Sequence, residues 1–151
     1  MESSRFSYNR LNTLFGWALF AFSTMVYLLT VEPSVSFWDC GEFILSAFRL
    51  QVGHPPGAPL FIMIGRIATL FALGDTSKVA LMMNGLSAIC SGFAIMFLFW
   101  TITHLIRRVV VRESLPSTGQ AAAILGSGIL GSLAYTFSDT FWFSAVEGEL
   151  Y

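Results

Sequence analysis

Charge is what this sequence has least of. Only 11% of its 151 residues are Asp, Glu, Lys or Arg, where a soluble domain of that size carries about a quarter. Eight basic residues against nine acidic ones leave a formal net charge of −1. Neither that balance nor any basic cluster points to a nucleic-acid partner. Cysteine is nearly absent too. Cys40 and Cys90 are the only two, and Cys90 lies inside an apolar run, so both read as small apolar fillers rather than as a bridge. The sequence shows no internal repeat, no low-complexity tract and no linker that would mark a second domain. A cleavable signal peptide is not expected: the first apolar run exceeds the usual length, and Glu32-Pro33 follows it instead of a small-residue cleavage site.

What is there is apolar. Hydrophobic residues make up 55% of the chain and the mean hydropathy is +0.70. The few charges fall in the gaps between long uncharged runs, the pattern of a polytopic all-α membrane protein. Leu11–Val31, Val79–Ile106 and Ser114–Ser138 are uncharged over 21, 28 and 25 residues, with His104 counted as neutral. A helix needs about 20 residues to cross a hydrocarbon core of about 30 Å, so three spans are expected, at about 11–31, 79–106 and 114–138. Gly126, Gly128 and Gly131 in the third provide small-residue spacing for close helix packing.

Gly57–Leu73 is the ambiguous segment. It is 17 residues long with Arg66 near its middle, and a central arginine costs roughly 2.5–3.5 kcal/mol on insertion scales. Basic residues also favour the cytoplasmic side. Arg5 and Arg10 precede the first span, and Arg107, Arg108 and Arg112 follow the second. Both clusters share a side only if two crossings separate them. The segment is therefore expected to lie in the outer interface, with Arg66 reaching the headgroups. Residues 32–77 then form an outer loop with interfacial helices at about 40–50 and 57–73. The first should carry Phe43, Ala47 and Leu50 on one face and Glu42, Ser46 and Arg49 nearer the other. Val52-Gly53 and Pro55-Pro56 should end it.

The outer loop holds the densest polar chemistry, in "SFWDCGEFILSAFRLQVGHPPGAPL" (36–60). Asp39 and Glu42 are three apart and share a helical face. One reading makes them a capping box for the helix that follows, with Phe37 and Trp38 as interfacial anchors. The other makes Asp39 a catalytic carboxylate, and the two are compatible. His54 either bonds a nearby carbonyl or binds substrate; Arg49 and Arg66 either snorkel or bind phosphate. No His/Cys spacing selects a metal, so no ligand is assigned, and a divalent ion stays open as an alternative.

The segments "FWDCGEFILSAFRLQVGHPPGAPLFIMIGRIATLF", "KVALMMNGLSAICSG" and "FWFSAVEGELY" resemble a bacterial and eukaryotic family of multipass membrane proteins known as a domain of unknown function. That family is similar to the protein O-mannosyltransferases of the GT-C glycosyltransferase superfamily. The resemblance runs from about Ser34 to the end of the chain. It implies a GT-C-like N-terminal portion, and an inverting enzyme that takes sugar from a polyprenyl-phosphate carrier and passes it to a protein or glycan hydroxyl. Mannose follows only from the resemblance. Asp39 matches the family's first-loop acid and would be the catalytic base, with Glu42 orienting its partners or binding the acceptor backbone. Arg49, His54 and Arg66 would stabilise the leaving phosphate, and Glu149 and Tyr151 match a late motif that would line the same cavity. The implied partners are membrane lipid, the lipid-linked donor, the acceptor and further transmembrane helices, because family members are much longer and this chain reads as an N-terminal fragment. The implied site faces the periplasm from a bacterial inner membrane, or the lumen from an endoplasmic-reticulum membrane. The rival reading is a non-enzymatic scaffold or a transporter segment. A transporter places ionisable groups near the bilayer midplane, and here the span interiors carry none.

Overall fold

The computed structural model describes residues 2–54, 58–111 and 116–148, with side chains from Tyr8 onward. Among the described residues the structure is helical and contains no strand. The helices are α1 (Glu2–Leu29), α2 (Cys40–Arg49), α3 (Pro59–Leu70), a 3₁₀ turn (Thr76–Lys78), α4 (Val79–Val110), α5 (Thr118–Thr136) and α6 (Asp139–Val146).

Tyr8–Leu29 and Thr76–Val110 are long and apolar enough to cross a membrane, and α5 with α6 makes a third span if the broken pair is counted as one. The break falls at Phe137-Ser138, inside what composition alone reads as the end of a continuous run. Ser117 starts α5 through a capping box: its hydroxyl accepts the Gln120 N–H at 3.3 Å, and the Gln120 side chain accepts the Ser117 N–H at 2.9 Å. Residues 112–115, the expected start of the third span and the third arginine of the basic turn, lie outside the described residues. Twelve residues long, α3 extends about 18 Å, short of the roughly 30 Å a crossing needs.

The chain forms two compact units, Met1–Thr24 with Gly92–Ser138 and Met25–Ser91 with Asp139–Tyr151. Small residues let the helices of the first unit approach closely, as in membrane helix packing. Gly16 lies against the Trp100 indole, whose N–H donates to the Asn12 carbonyl at 3.2 Å. Gly92 faces Thr24 and Phe20. A β-carbon on Gly128 would lie 2.6 Å from the Thr103 methyl and 2.9 Å from the Phe99 ring, and one on Gly131 would lie 2.9 Å from Ile102. Gly126 has no such neighbour among the described residues. Two of the three glycines expected at a helix contact are there, and the third faces away.

The second unit is built on α2. Its buried residues are Cys40, Phe43, Ile44, Ser46 and Ala47, so Ser46 is on the packed face and Leu50, 59% exposed, is not. The reason is where the helix stops. It ends at Arg49, before Val52-Gly53, because Leu50 turns left-handed (φ 52°) and the Gln51 N–H donates back to the Ser46 carbonyl at 2.9 Å. That geometry usually belongs to glycine. Cys40, Ile44 and Ala47 pack with Ala72, Val79, Ala80 and Met83. Gly65 of α3 brings the helices together, since a β-carbon there would lie 2.8 Å from the Met83 thioether and 2.9 Å from Ala47.

Arg66 does not extend freely from α3. Its guanidinium donates to the Phe48 carbonyl at 2.6 Å and lies 5.6 Å from the Phe48 ring centre. It thus satisfies one of the carbonyls that the end of α2 leaves without an intrahelical partner.

Close packing at Gly128 and open space at Gly126 give opposite expectations for the same substitution. Gly128→Leu should destabilise the detergent-solubilised protein by the roughly 1–3 kcal/mol that overpacking costs, seen as a lower melting temperature. Gly126→Leu should stay within about 0.5 kcal/mol of the parent.

Candidate functional site

The approach to the site is fixed from below by α4. Asn84 is fully buried, and its amide donates to the carbonyls of Glu32 at 2.7 Å and Ser34 at 3.0 Å. The Glu32 N–H in turn donates to the Val146 carbonyl at 3.2 Å, and the Glu32 carboxylate accepts from the Ser34 hydroxyl at 2.8 Å. The segment after α1 is therefore held before it reaches Phe37 and Trp38, which are 87% and 92% exposed. Trp38 has a left-handed backbone (φ 62°), a conformation that costs a non-glycine residue about 1–3 kcal/mol and recurs at functional sites.

That turn delivers Asp39 to the start of α2, but not as a cap. Asp39 sits at φ −81°, ψ −2°, and its side chain makes no capping hydrogen bond. A capping side chain needs an extended backbone to reach over the first turn, and the helical angles here deny it. The capping box expected from Asp39 and Glu42 is absent for a second reason: Glu42 is engaged elsewhere. One carboxylate oxygen accepts the His54 backbone N–H at 2.6 Å, and the other lies 3.0 Å from His54 Nδ1. Gly53 permits this, since a β-carbon there would sit 3.0 Å from the Glu42 oxygen. The His54 ring rests 5.9 Å from the Phe43 ring, which lies edge-on to Phe61 at the same distance. His54 Nε2 lies 3.9 Å from an Asp39 oxygen.

Asp39, Glu42 and His54 thus come together, with one ligand-type atom from each within 4.8 Å of the others. Each is partly open to solvent. The hydrogen bonds from His54 hold the Glu42 carboxyl below its ordinary range, the backbone N–H contributing most. The Glu42 carboxylate, hydrogen-bonded to the ring, raises the His54 imidazole above its ordinary value. The pair contributes fully between the ordinary values, 4.5 for the carboxyl and 6.5 for the imidazole. Its contribution is lost as pH falls through the depressed Glu42 value or rises through the elevated His54 value.

The two arginines are at the other end of α2. Arg49 is exposed in its last turn, about 15 Å along the axis from Asp39 at 1.5 Å per residue, and Arg66 is on the Phe48 carbonyl. Glu149 and Tyr151 lie outside the described residues. Gly148, just before them, is buried, and a β-carbon there would lie 3.1 Å from the Asn84 side-chain oxygen. Asn84 is the residue that sequence reasoning missed. A lone amide in a span that is otherwise nearly all apolar was the available signal, since buried polar groups in membrane helices find partners.

A family model described as the protein O-mannosyl-transferase TMEM260 N-terminal domain matches residues 39–151. The chain belongs to this family. Among curated relatives, the protein O-mannosyl-transferase tmem260 of Dictyostelium discoideum is 29% identical over 88% of this chain and 14% of its own length. The protein O-mannosyl-transferase TMEM260 of Mus musculus is 32% identical over 89% of this chain and 16% of its own length. The chain therefore spans about a sixth or less of these relatives. No solved structure matches it. The match to the TMEM260 domain begins at Asp39 and so takes in the Asp39–Glu42–His54 cluster.

Two measurements probe this geometry. Asn84→Asp keeps the size of the side chain but loses the amide donors, and should destabilise the protein by about 1–3 kcal/mol, read as a lower melting temperature. NMR titration of the His54 ring should give a midpoint above the ordinary 6.5, and Glu42→Gln should move it downward.

Proposed function

We propose that this chain carries the acidic first-loop site of a membrane glycosyltransferase, which moves a sugar from a polyprenyl-phosphate carrier to a hydroxyl of a protein or glycan. The observation that carries the reading is the gathering of Asp39, Glu42 and His54 beside exposed Phe37 and Trp38, just beyond a membrane-length helix. Aromatic side chains of this kind favour the membrane–water interface. Membership in a family described as protein O-mannosyl-transferases supports the same class of chemistry, with mannose as the sugar.

In this reading Asp39 is the general base. A serine or threonine hydroxyl is a weak nucleophile at neutral pH, and a positioned carboxylate takes its proton as the oxygen attacks the anomeric carbon. The new bond forms between that carbon and the acceptor oxygen. The bond to the phosphate oxygen breaks, its electron pair leaves with the lipid phosphate, and the anomeric configuration inverts. Glu42 holds the His54 ring beside Asp39, where its N–H can donate to the departing phosphate. Glu149 and Tyr151 are assigned to substrate binding on the resemblance of their segment to the family's late motif. An apolar groove of about 610 Å³, lined by residues that include Leu28, Val31, Ile64, Ile67, Phe71 and Leu86, offers a surface for the tail of the carrier.

The short α3 supports a two-crossing topology, in which Arg5 and Arg10 share the cytoplasmic side with Arg107 and Arg108 and the cluster faces outward, toward the periplasm or the lumen. Asp39→Asn in the full-length protein should lower sugar transfer by the 10²–10⁴-fold typical of a lost general base, with membrane insertion unchanged. Transfer at the parental rate would overturn the assignment of Asp39.

A further inference from the structure

The polar contacts made by Asn84 leave one loose end. The side chain is fully buried, and its two carbonyl partners, on Glu32 and Ser34, fix which end of the amide carries the nitrogen. Oδ1 is then buried without a hydrogen-bond partner among the described residues, at a cost that calls for a reason. Gly148 lies against it, placed so that a β-carbon would stand 3.1 Å from the oxygen. We propose that Asn84 and Gly148 are positioning residues. Together they form a joint that fixes the segment leading into Glu149 and Tyr151 against the segment that delivers Asp39.

Glu32 is held from two sides. Its N–H donates to the Val146 carbonyl, at the end of α6, and its carbonyl accepts from Asn84, on α4. Gly148, two residues beyond Val146, is buried and enters a niche shaped by two helices. A β-carbon there would also meet Ile44 of α2 at 3.7 Å and Met83 of α4 at 3.8 Å. The same glycine therefore packs on the amide that holds the chain before Asp39 and on the helix that carries Glu42. The two segments, far apart in sequence, share one support. None of these contacts uses a side chain of Asp39, Glu42 or His54, so the joint is separate from the cluster.

The planar amide transmits displacement. Oδ1 and Nδ2 belong to one rigid group, so moving the oxygen moves the nitrogen. A methyl at position 148 would press on Oδ1, which no hydrogen bond holds in place. The push turns the amide and draws Nδ2 away from the carbonyls of Glu32 and Ser34. A shift on the late segment is thus felt where the chain turns toward Asp39. The part this joint plays in sugar transfer rests on the transfer reading. The joint itself rests on the packing.

Hydrogen exchange in the full-length protein in detergent tests the joint. Gly148→Ala should speed exchange at the Glu32 amide about tenfold, the scale expected when a buried hydrogen bond is loosened. Gly126→Ala, which faces open space, should leave that amide unchanged. Asn84→Ala should also speed it, and adding Gly148→Ala to Asn84→Ala should add nothing, because the amide on which the methyl presses is gone. An unchanged Glu32 amide in Gly148→Ala, effects that multiply in the double variant, or faster exchange spread equally through α1 and α5 would each overturn the joint. Sugar transfer tests the role. Gly148→Ala should lower kcat about tenfold through misplacement of reacting groups and leave the pH profile where it was, since no titrating group is changed. A loosened Glu32 amide with the parental kcat would overturn the positioning role. Failure of the Asp39 assignment shows elsewhere, as Asp39→Asn transferring sugar at the parental rate.

Discussion

A single buried amide sets the frame in which the site exists. Asn84 spends both donors on the carbonyls of Glu32 and Ser34, and so fixes the path the chain takes on leaving α1. Asn84 is fully buried, and a buried amide left without partners costs more than the net worth of an ordinary hydrogen bond. The segment has few alternatives to the route that ends in the left-handed turn at Trp38. Downstream, Asp39 enters α2 at an angle that forbids capping, Glu42 is left free to turn toward His54, and the cluster assembles.

Much of this was legible in the residues, and the parts that were not share a cause. Long uncharged runs reported the helices that can span, because bilayer thickness sets a length that few soluble helices match in composition. The short helices α2 and α3 were legible from apolar spacing and from the flanking Gly and Pro. Local rules then misled where a distant partner competes. The Asp39–Glu42 spacing fits a capping box, yet Glu42 is held by a residue twelve positions away. Arg66 in an apolar segment reads as a headgroup anchor, yet it finishes the end of α2. Leu50 reads as a packed position, yet it becomes the left-handed stop. Each case is a polar group or a turn satisfied by tertiary contact, information that spacing within one element does not carry.

The same holds for the site. That Asp39 and Glu42 share a face followed from helix geometry, and His54 was singled out by composition. Their meeting did not follow, because it needs the turn after α2 to double back, and that turn runs through the left-handed Leu50 and through Gly53. Arg49 went the other way: near the acids in sequence, it is carried to the opposite end by the ten residues of α2, the end that Arg66 reaches from α3.

The hold of Glu42 on residue 54 is half main-chain. One oxygen takes the peptide N–H, which every residue but proline offers, and only the other depends on the ring. Trimming the imidazole therefore leaves the loop tethered where it was, while removing the carboxyl group releases both ends of the tether. Placement of this loop and its chemistry are thus encoded in different residues, and the molecule can exchange what it presents at that point without having to relearn where to put it.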